Sequence, residues 1–423
     1  MHPYVYDIIY IIGFILYCPL FLGKAIFKKK NLINLKERFG FVNIDDKKSN
    51  LRIWVHAVSV GEFISIKGLI CLIKQRIPDS VICISTVTPA AYFLANKTLG
   101  RDCFIFLFPF DWSFAIKRVI KKVNPDLIIV VESEFWPNFL YYCGKYKIPL
   151  LIANGRLSER AFRRYKIFRN FFLNRLSSIK FFCMQTEADA NRLKELGVDE
   201  SKIIVTGNVK YDIKPQSISD ALNQVNAWLD GRQCILAAST MNGEEKLIFE
   251  LYKKLRNDFP QLKLIIAPRH HERFDEVKKI IKQEGFDYCL RTGNKIEQTD
   301  VFLLDTIGEL ASIIQLATIV IMGGSIKPFG GHNIIEPAYF KRTIIVGEHM
   351  ENFTDVINNF IMNKACIQIP FEKFYNEIKE LLINEKKRQE LGGNAFKILQ
   401  KNMGATENIF KYILNILNLK PIS

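Results

Sequence analysis

A chain of 423 residues, 49% hydrophobic and 24% charged, is long enough for two or three full-sized cores and too apolar for global disorder. Its 59 Lys and Arg against 43 Asp and Glu leave +16, a surplus that attracts nucleic acid, anionic membrane or phosphorylated substrates. The nine cysteines form no C-x-x-C pair and no metal-type spacing with the six histidines; Cys83, Cys183 and Cys234 sit in apolar runs, as reduced, buried thiols of a cytosolic compartment do.

The amino terminus comes first and is unusual. From Ile8 to Gly23 no charge occurs, and Lys24, Lys28, Lys29 and Lys30 follow. The strict run measures about 24 Å as a helix, against about 30 Å for a hydrocarbon core. Adding Tyr4 to Tyr6 and Ala25 to Phe27 brings it near spanning length, with Asp7 the awkward residue. Positive charge after the run, rather than before it, argues against a secretory signal and keeps the rest of the chain on the cytoplasmic side. Residues 1–30 therefore read as a membrane anchor, spanning or monotopic, with tyrosines at both ends suited to an interfacial belt; a buried core helix, which Pro19 and Asp7 favour, is the alternative.

Beyond residue 50, short β-branched runs alternate with amphipathic stretches. The runs are Leu51 to Ala57, Val81 to Thr86, Phe104 to Pro109, Leu127 to Val131, Pro149 to Ala153, Phe181 to Met184 and Ile203 to Thr206. Helical patterns such as Ser158 to Leu176 and Glu187 to Leu196 lie between them. Near-continuous apolar strands separated by helices predict a parallel sheet covered on both faces, a doubly wound α/β domain over residues 31–208. The polar stretch 209–230 reads as a linker. Alternation resumes with Cys234 to Ala238, Leu264 to Ala267, Val301 to Leu304, Ile319 to Met322 and Ile344 to Val346, giving a second such domain over 231–423 that ends in Lys- and Glu-rich helices. Two domains of this kind place the carboxyl ends of both sheets toward a common cleft, so function is expected in the loops that follow strands.

Those loops hold the unusual residues. After the first run comes Val58-Ser59-Val60-Gly61-Glu62, where Glu62 serves either as a base for a sugar hydroxyl or as a helix cap. After Val131 comes Glu132-Ser133-Glu134-Phe135-Trp136-Pro137-Asn138, two carboxylates beside a Trp, suited to hydroxyl binding or again to capping. Asn154-Gly155-Arg156-Leu157-Ser158-Glu159-Arg160 opens the densest internal basic stretch, continued by Arg163, Arg164, Lys166 and Arg169, a face suited to phosphate groups or merely to solvent. In the second half, Ser239 and Thr240 end a strand before Gly243 and Glu244, and Arg269 ends the next. Gly323-Gly324-Ser325, then Gly330-Gly331-His332-Asn333 and Glu336, form a third candidate phosphate and nucleotide loop. Glu336, in a helix's first turn, is placed to take both hydroxyls of a ribose. No P-loop, G-x-G-x-x-G, H-E-x-x-H, nucleophile elbow or D-x-D run occurs, which leaves a metal-independent nucleotide-sugar site with no cofactor. A nucleic-acid-binding reading would need exposed aromatics between basic residues, whereas the phenylalanines fall mostly on strands and helix faces.

Several motifs in order across residues 36–353 resemble one family. Ile53-Trp54-Val55-His56-Ala57-Val58-Ser59-Val60-Gly61-Glu62, the Glu132 to Asn138 and Asn154 to Arg160 segments, Thr206-Gly207-Asn208-Val209-Lys210-Tyr211-Asp212, Ala267-Pro268-Arg269-His270 and Gly331-His332-Asn333-Ile334-Ile335-Glu336-Pro337-Ala338 are similar to bacterial 3-deoxy-D-manno-octulosonic acid (Kdo) transferases. His271 departs from the pattern, where a Pro is usual. The resemblance implies a GT-B fold, two Rossmann-like domains facing a central cleft. It implies transfer of Kdo from CMP-β-Kdo to the phosphorylated lipid A precursor (lipid IVA), with inversion, at the cytoplasmic side of the inner membrane. On this basis Glu62 is the general base and Glu132 a second required acid. Ser239, Thr240, Arg269, Gly324, Asn333 and Glu336 hold CMP, and Arg156 and Arg160 face the acceptor. A GT-B glycosyltransferase using another nucleotide sugar is the alternative.

Overall fold

The computed structural model describes residues 4, 6–8, 10–12, 34–44, 51–176, 178–212, 220–293 and 299–419. The chain divides into two compact units, 1–212 with 403–423, and 213–402. Among the described residues each unit is built on seven parallel strands.

In the first unit the strands are β1 (Leu51–His56), β2 (Ser80–Thr86), β3 (Phe104–Leu107), β4 (Leu127–Val131), β5 (Leu150–Gly155), β6 (Ile179–Met184) and β7 (Ile203–Val205), in the spatial order 3-2-1-4-5-6-7. Trp54, Ile128, Ile152 and Phe182 point to one face of this sheet, and Ile53, Val55, Ile129, Leu151 and Cys183 to the other. Both sets are buried, which is why these strands read as continuous apolar runs rather than alternating ones. The helix Val60–Arg76 covers the second face through Phe63, Ile66, Leu69, Ile70 and Ile73. The helices Ser113–Val123 and Pro137–Lys145 cover the first. The predicted helix over Ser158 to Leu176 is two helices, Glu159–Ile167 and Arg169–Leu176, broken at Phe168.

In the second unit, β8 (Cys234–Thr240), β9 (Lys263–Pro268), β10 (Tyr288–Leu290), β11 (Val301–Leu303), β12 (Ile319–Met322), β13 (Thr343–Val346) and β14 (Ile367–Gln368) lie in the order 10-11-9-8-12-13-14. Two edge strands, β10 and β14, have no counterpart in the sequence reading.

The expected domain limits need two corrections. The segment 209–230 is not all linker: Asp220–Leu229 is a helix whose Trp228 is fully buried against Phe302 in the second unit. Nor does the second unit run to residue 423. The last helix, Ala405–Ile416, returns to the first unit and buries Ala405, Ile409, Phe410, Ile413 and Leu414 among Ile53, Val55 and Ile66. Asp212 fixes that return by accepting the backbone N–H groups of Gly404 (2.6 Å) and Thr406 (2.5 Å) at the helix start.

The expected anchor, 1–30, lies for the most part outside the described residues. Among the described residues no helix is long and apolar enough to cross a membrane. Asp7 takes the Ser113 backbone N–H (3.0 Å) and the Asn138 side-chain amide (2.7 Å), so its carboxylate belongs to the folded unit. Tyr6 and Tyr10 likewise turn toward Asp111 and Trp112.

Candidate active site

In the first unit the strand order reverses between β1 and β4. The two strands pair from Ile53 opposite Leu127 to His56 opposite Val130. The chain then leaves β1 for a helix on one face and β4 for a helix on the other. Such a reversal opens a crevice at the carboxyl ends of the strands, where open α/β sheets bind ligands. Glu62 and Glu132 stand in the two loops that flank it.

Glu62 is the third residue of its helix, and Ser59 is the N-cap. The Ser59 hydroxyl oxygen accepts the Glu62 N–H (3.3 Å), and the carboxylate takes the Val58 N–H (2.8 Å) and the Ser59 hydroxyl (2.9 Å). This is a capping box, so the structural role foreseen for Glu62 is real. The box also fixes the carboxylate in one rotamer. Burial raises its pKa, and the nearby Glu132 charge adds to the rise, while the Val58 and Ser59 hydrogen bonds oppose it. A carboxylate shifted upward accepts a proton more readily.

Glu132 directly follows β4 with φ 59°, in the left-handed region that bulky residues avoid. Its N–H donates to the Ala153 carbonyl, so sheet pairing continues through the strained residue. The pocket beyond it, about 640 Å³, is lined by Glu132, Glu134, Trp136, Arg156, Arg164, Tyr165 and Tyr6, among others. The Ser133 hydroxyl donates to the Arg156 carbonyl and ties the two loops together. Glu134 is pushed up to about 7, by burial first and then by the charges of Glu62 and Glu132, so three carboxylates act on one another here. The structure thus brings Glu132 and Arg156 together in one pocket, with Glu62 close enough for its charge to act on Glu132 and Glu134. Arg160 is exposed and is not among the pocket residues; Arg164, one turn further along the same helix, takes that place. The sequence reading did not single out Tyr165 or Tyr6, whose positions follow from tertiary packing.

Around this site the backbone is unusual at one more strand end. Asn154, at φ 55° beside a register shift in β5, accepts the Val209 N–H on its side-chain oxygen (3.1 Å). His56 at the end of β1 is fully buried and stacked on Phe108 at 4.0 Å, and burial lowers its pKa to about 3. It is a neutral core histidine.

In the second unit the order reverses between β8 and β12, and the expected residues again gather at the strand ends. Ser239 has φ 57° beside a register shift in β8. Gly323, leaving β12, runs so close that a Cβ there would lie 2.3 Å from the Ser239 carbonyl oxygen. Only glycine fits. Arg269, His332 and Glu336 form a cluster. Burial raises the Glu336 pKa while the Arg269 charge opposes it, and burial together with Arg269 and His270 lowers that of His332 to about 4. The His332 Nε2 is buried and has no hydrogen-bond partner among the described residues. Asn333 accepts the Ile335 N–H (3.1 Å) and starts the short helix Ile335–Tyr339 that carries Glu336.

Two of the expected phosphate donors are engaged elsewhere. The Thr240 hydroxyl donates to Glu245 (2.7 Å), which is fully buried and held on both oxygens by Arg273. The Gly324 N–H donates to Glu244 (2.8 Å), whose carboxylate also takes the N–H groups of Met241, Ile326 and Lys327. This loop has the backbone form of an anion cradle, and an internal carboxylate fills it. In the sequence Glu244 read only as opening a helix after Gly243, and Glu245 was not singled out. A pair of adjacent acids facing a glycine-rich strand end is the signal that could have exposed them.

A family model described as 3-Deoxy-D-manno-octulosonic-acid transferase (kdotransferase) matches residues 33–213. The chain is similar to the 3-deoxy-D-manno-octulosonic acid transferase of Haemophilus influenzae, with 32% identity over 383 residues and 89% of each chain covered. It is 27% identical to the Rickettsia bellii protein of that name over 413 residues, 96% of this chain and 98% of the other. Among solved structures, UDP-GlcNAc 2-epimerase from Neisseria meningitidis bound to UDP-GlcNAc has a TM-score of 0.52 and 15% identity, covering 86% of this chain and 100% of that one. At that identity the likeness concerns the fold alone. With two doubly wound units, acids at the first switch point and this extent of identity, the chain belongs to the Kdo transferase family of glycosyltransferases.

Proposed function

We propose that the protein transfers Kdo from CMP-β-Kdo to a phosphorylated lipid A precursor, with inversion at the anomeric carbon and with Glu62 as general base. The observation that carries this reading is the pair of acids, Glu62 and Glu132, on the two loops flanking the β1–β4 reversal, beside a pocket that also contains Arg156 and Arg164. An acceptor sugar bearing phosphate needs both parts: cations to hold the anion and a carboxylate to take the hydroxyl proton. In the step itself the acceptor oxygen attacks the anomeric carbon as the bond to the CMP phosphate oxygen breaks. The electron pair leaves with CMP, and the hydroxyl proton passes to Glu62. Arg269, with Ser239, Asn333 and Glu336, is the donor side of this reading, Arg269 opposing the charge that develops on the leaving phosphate. The exposed Tyr4, Ile8, Ile11 and Ile12 and the +16 charge support association with the cytoplasmic face of an inner membrane, where such an acceptor resides.

The test is transfer from freshly generated CMP-Kdo to tetraacylated lipid A precursor in detergent micelles, read by mass spectrometry of the glycolipid. The expected product carries added Kdo. Absence of product from folded protein would overturn the substrate assignment and turn the search to other nucleotide sugars.

A further inference from the structure

The amino-terminal segment contributes directly to the pocket of the first unit. Tyr6 lines it together with Glu132, Glu134 and Arg164. A dense set of hydrogen bonds holds the segment there. The Tyr6 hydroxyl donates to the Asp111 carboxylate, and the Asp111 N–H donates to the Tyr10 hydroxyl. Asp111 is fully buried and accepts the N–H groups of Asn138 (3.0 Å) and Phe139 (2.9 Å), at the start of the helix Pro137–Lys145. The Asn138 side-chain amide divides its two hydrogens between Asp7 (2.7 Å) and the Asp111 carbonyl (2.7 Å). Asp7 meanwhile takes the Ser113 N–H (3.0 Å), at the start of the helix Ser113–Val123. Two helix starts and two aspartates therefore fix where Tyr6 stands. One of those helices begins right after Trp136, which lines the same pocket.

A purely anchoring segment has no use for this arrangement, since an aspartate in an apolar run weakens its partition into lipid. We propose that Tyr6 is a positioning residue for the acceptor: the amino-terminal segment forms one wall of the acceptor pocket, with Asp7 and Asp111 as the latch that seats it. The assignment rests on the reading of this pocket as the acceptor site. An aromatic ring beside carboxylates and guanidinium groups suits the apolar face of a sugar whose hydroxyls and phosphate are bound by the charged groups. The segment near the membrane and the reacting site are then one structural piece.

The experiment measures kcat and KM for acceptor and donor separately, in the full-length protein and in detergent micelles, so that membrane partition does not enter. Tyr6→Ala should raise the acceptor KM about tenfold and leave the donor KM within about twofold. Tyr6→Phe, which keeps the ring and loses the bond to Asp111, should fall between. Asp7→Asn should shift the acceptor KM in the same direction without loss of Tm beyond a few degrees. An unchanged acceptor KM in folded Tyr6→Ala overturns the proposal, as does an equal rise in both KM values with a falling Tm, which marks a merely structural role. Absence of Kdo transfer by the wild-type protein is the separate failure of the functional reading, and the Tyr6 assignment falls with it.

Discussion

The substitution Glu62→Gln separates the two duties of Glu62, because glutamine has nearly the same shape and no basicity. In the wild-type chain the carboxylate takes the Val58 N–H at 2.8 Å and the Ser59 hydroxyl at 2.9 Å. The glutamine oxygen can keep the Val58 bond, and its NH2 can donate to Ser59, whose hydroxyl rotates to suit. The cap should therefore weaken by only about 0.5–1 kcal/mol, a shift of a few degrees in Tm. General-base catalysis contributes typically 10²–10⁴-fold, or about 3–5 kcal/mol of barrier. Single-turnover transfer with saturating acceptor, followed by mass spectrometry, should show a rate at least about a hundredfold lower with the donor KM retained. The wild-type rate should rise with pH as Glu62 ionises, with a midpoint above the ordinary 4.5 because burial raises it. The glutamine variant should lack that limb. A variant within about tenfold of wild type and with the same pH profile would refute the base and leave Glu62 as a helix cap alone.

Glu134 gives a pH prediction of opposite sense to the usual acidic one. Its pKa is raised from 4.5 to about 7, so the folded state binds its proton more tightly than the unfolded chain. The native acid form gives a stability contribution that is full below pH 4.5 and is lost as pH rises toward about 7. Relative to Glu134→Gln, denaturant midpoints of the wild type should therefore decline across that window and stay level outside it. In the second unit, Arg273→Ala would leave the fully buried Glu245 carboxylate without its two guanidinium bonds. The expected loss is about 3–5 kcal/mol by urea unfolding, with Arg273→Lys recovering part of it; a loss under about 1 kcal/mol would contradict the assigned pairing.

Most strands were legible because both faces of each sheet are covered, so an interior strand such as Leu127–Val131 is apolar at every position. The two edge strands of the second sheet were not: Tyr288–Leu290 and Ile367–Gln368 are three and two residues long, too short to show a period. The return of Ala405–Ile416 to the first unit was also invisible. Its apolar stripe says only that the helix has a buried face, and the Asp212 carboxylate that receives it lies nearly two hundred residues earlier. The loops of the site were legible from their position after strands and their chemistry. Which donors in them remain open to a ligand was not. Gly324 and Thr240 are held by the carboxylates of Glu244 and Glu245, and the acid pair signals this only when it is set against the glycine-rich strand end 80 residues further along the chain.

Those two carboxylates bear on how the site is held. Glu132 and Ser239, each next to a sheet reversal, lie in the left-handed region at φ 59° and 57°, a conformation that disfavours side chains by about 1–2 kcal/mol. Such a residue persists only where its surroundings fix it. Around Ser239 the glycine at 323 admits the distorted strand end, and Glu244 locks the next loop by collecting N–H groups from Gly324, Ile326 and Lys327. Around Glu132 the Ala153 carbonyl holds the backbone on one side, and the Ser133 hydroxyl holds the Arg156 loop on the other. In each unit, then, hydrogen bonds from outside the strained residue fix a loop at the point where the sheet reverses. The acids of the second unit, Glu244 and Glu245, are fully buried, whereas Glu132 and Glu134 in the first unit line an open pocket and interact with the charge of Glu62. That difference, pocket-lining acids in the first unit and fully buried ones in the second, supports the proposal that proton transfer belongs to the first unit and anion holding, through Arg269, to the second.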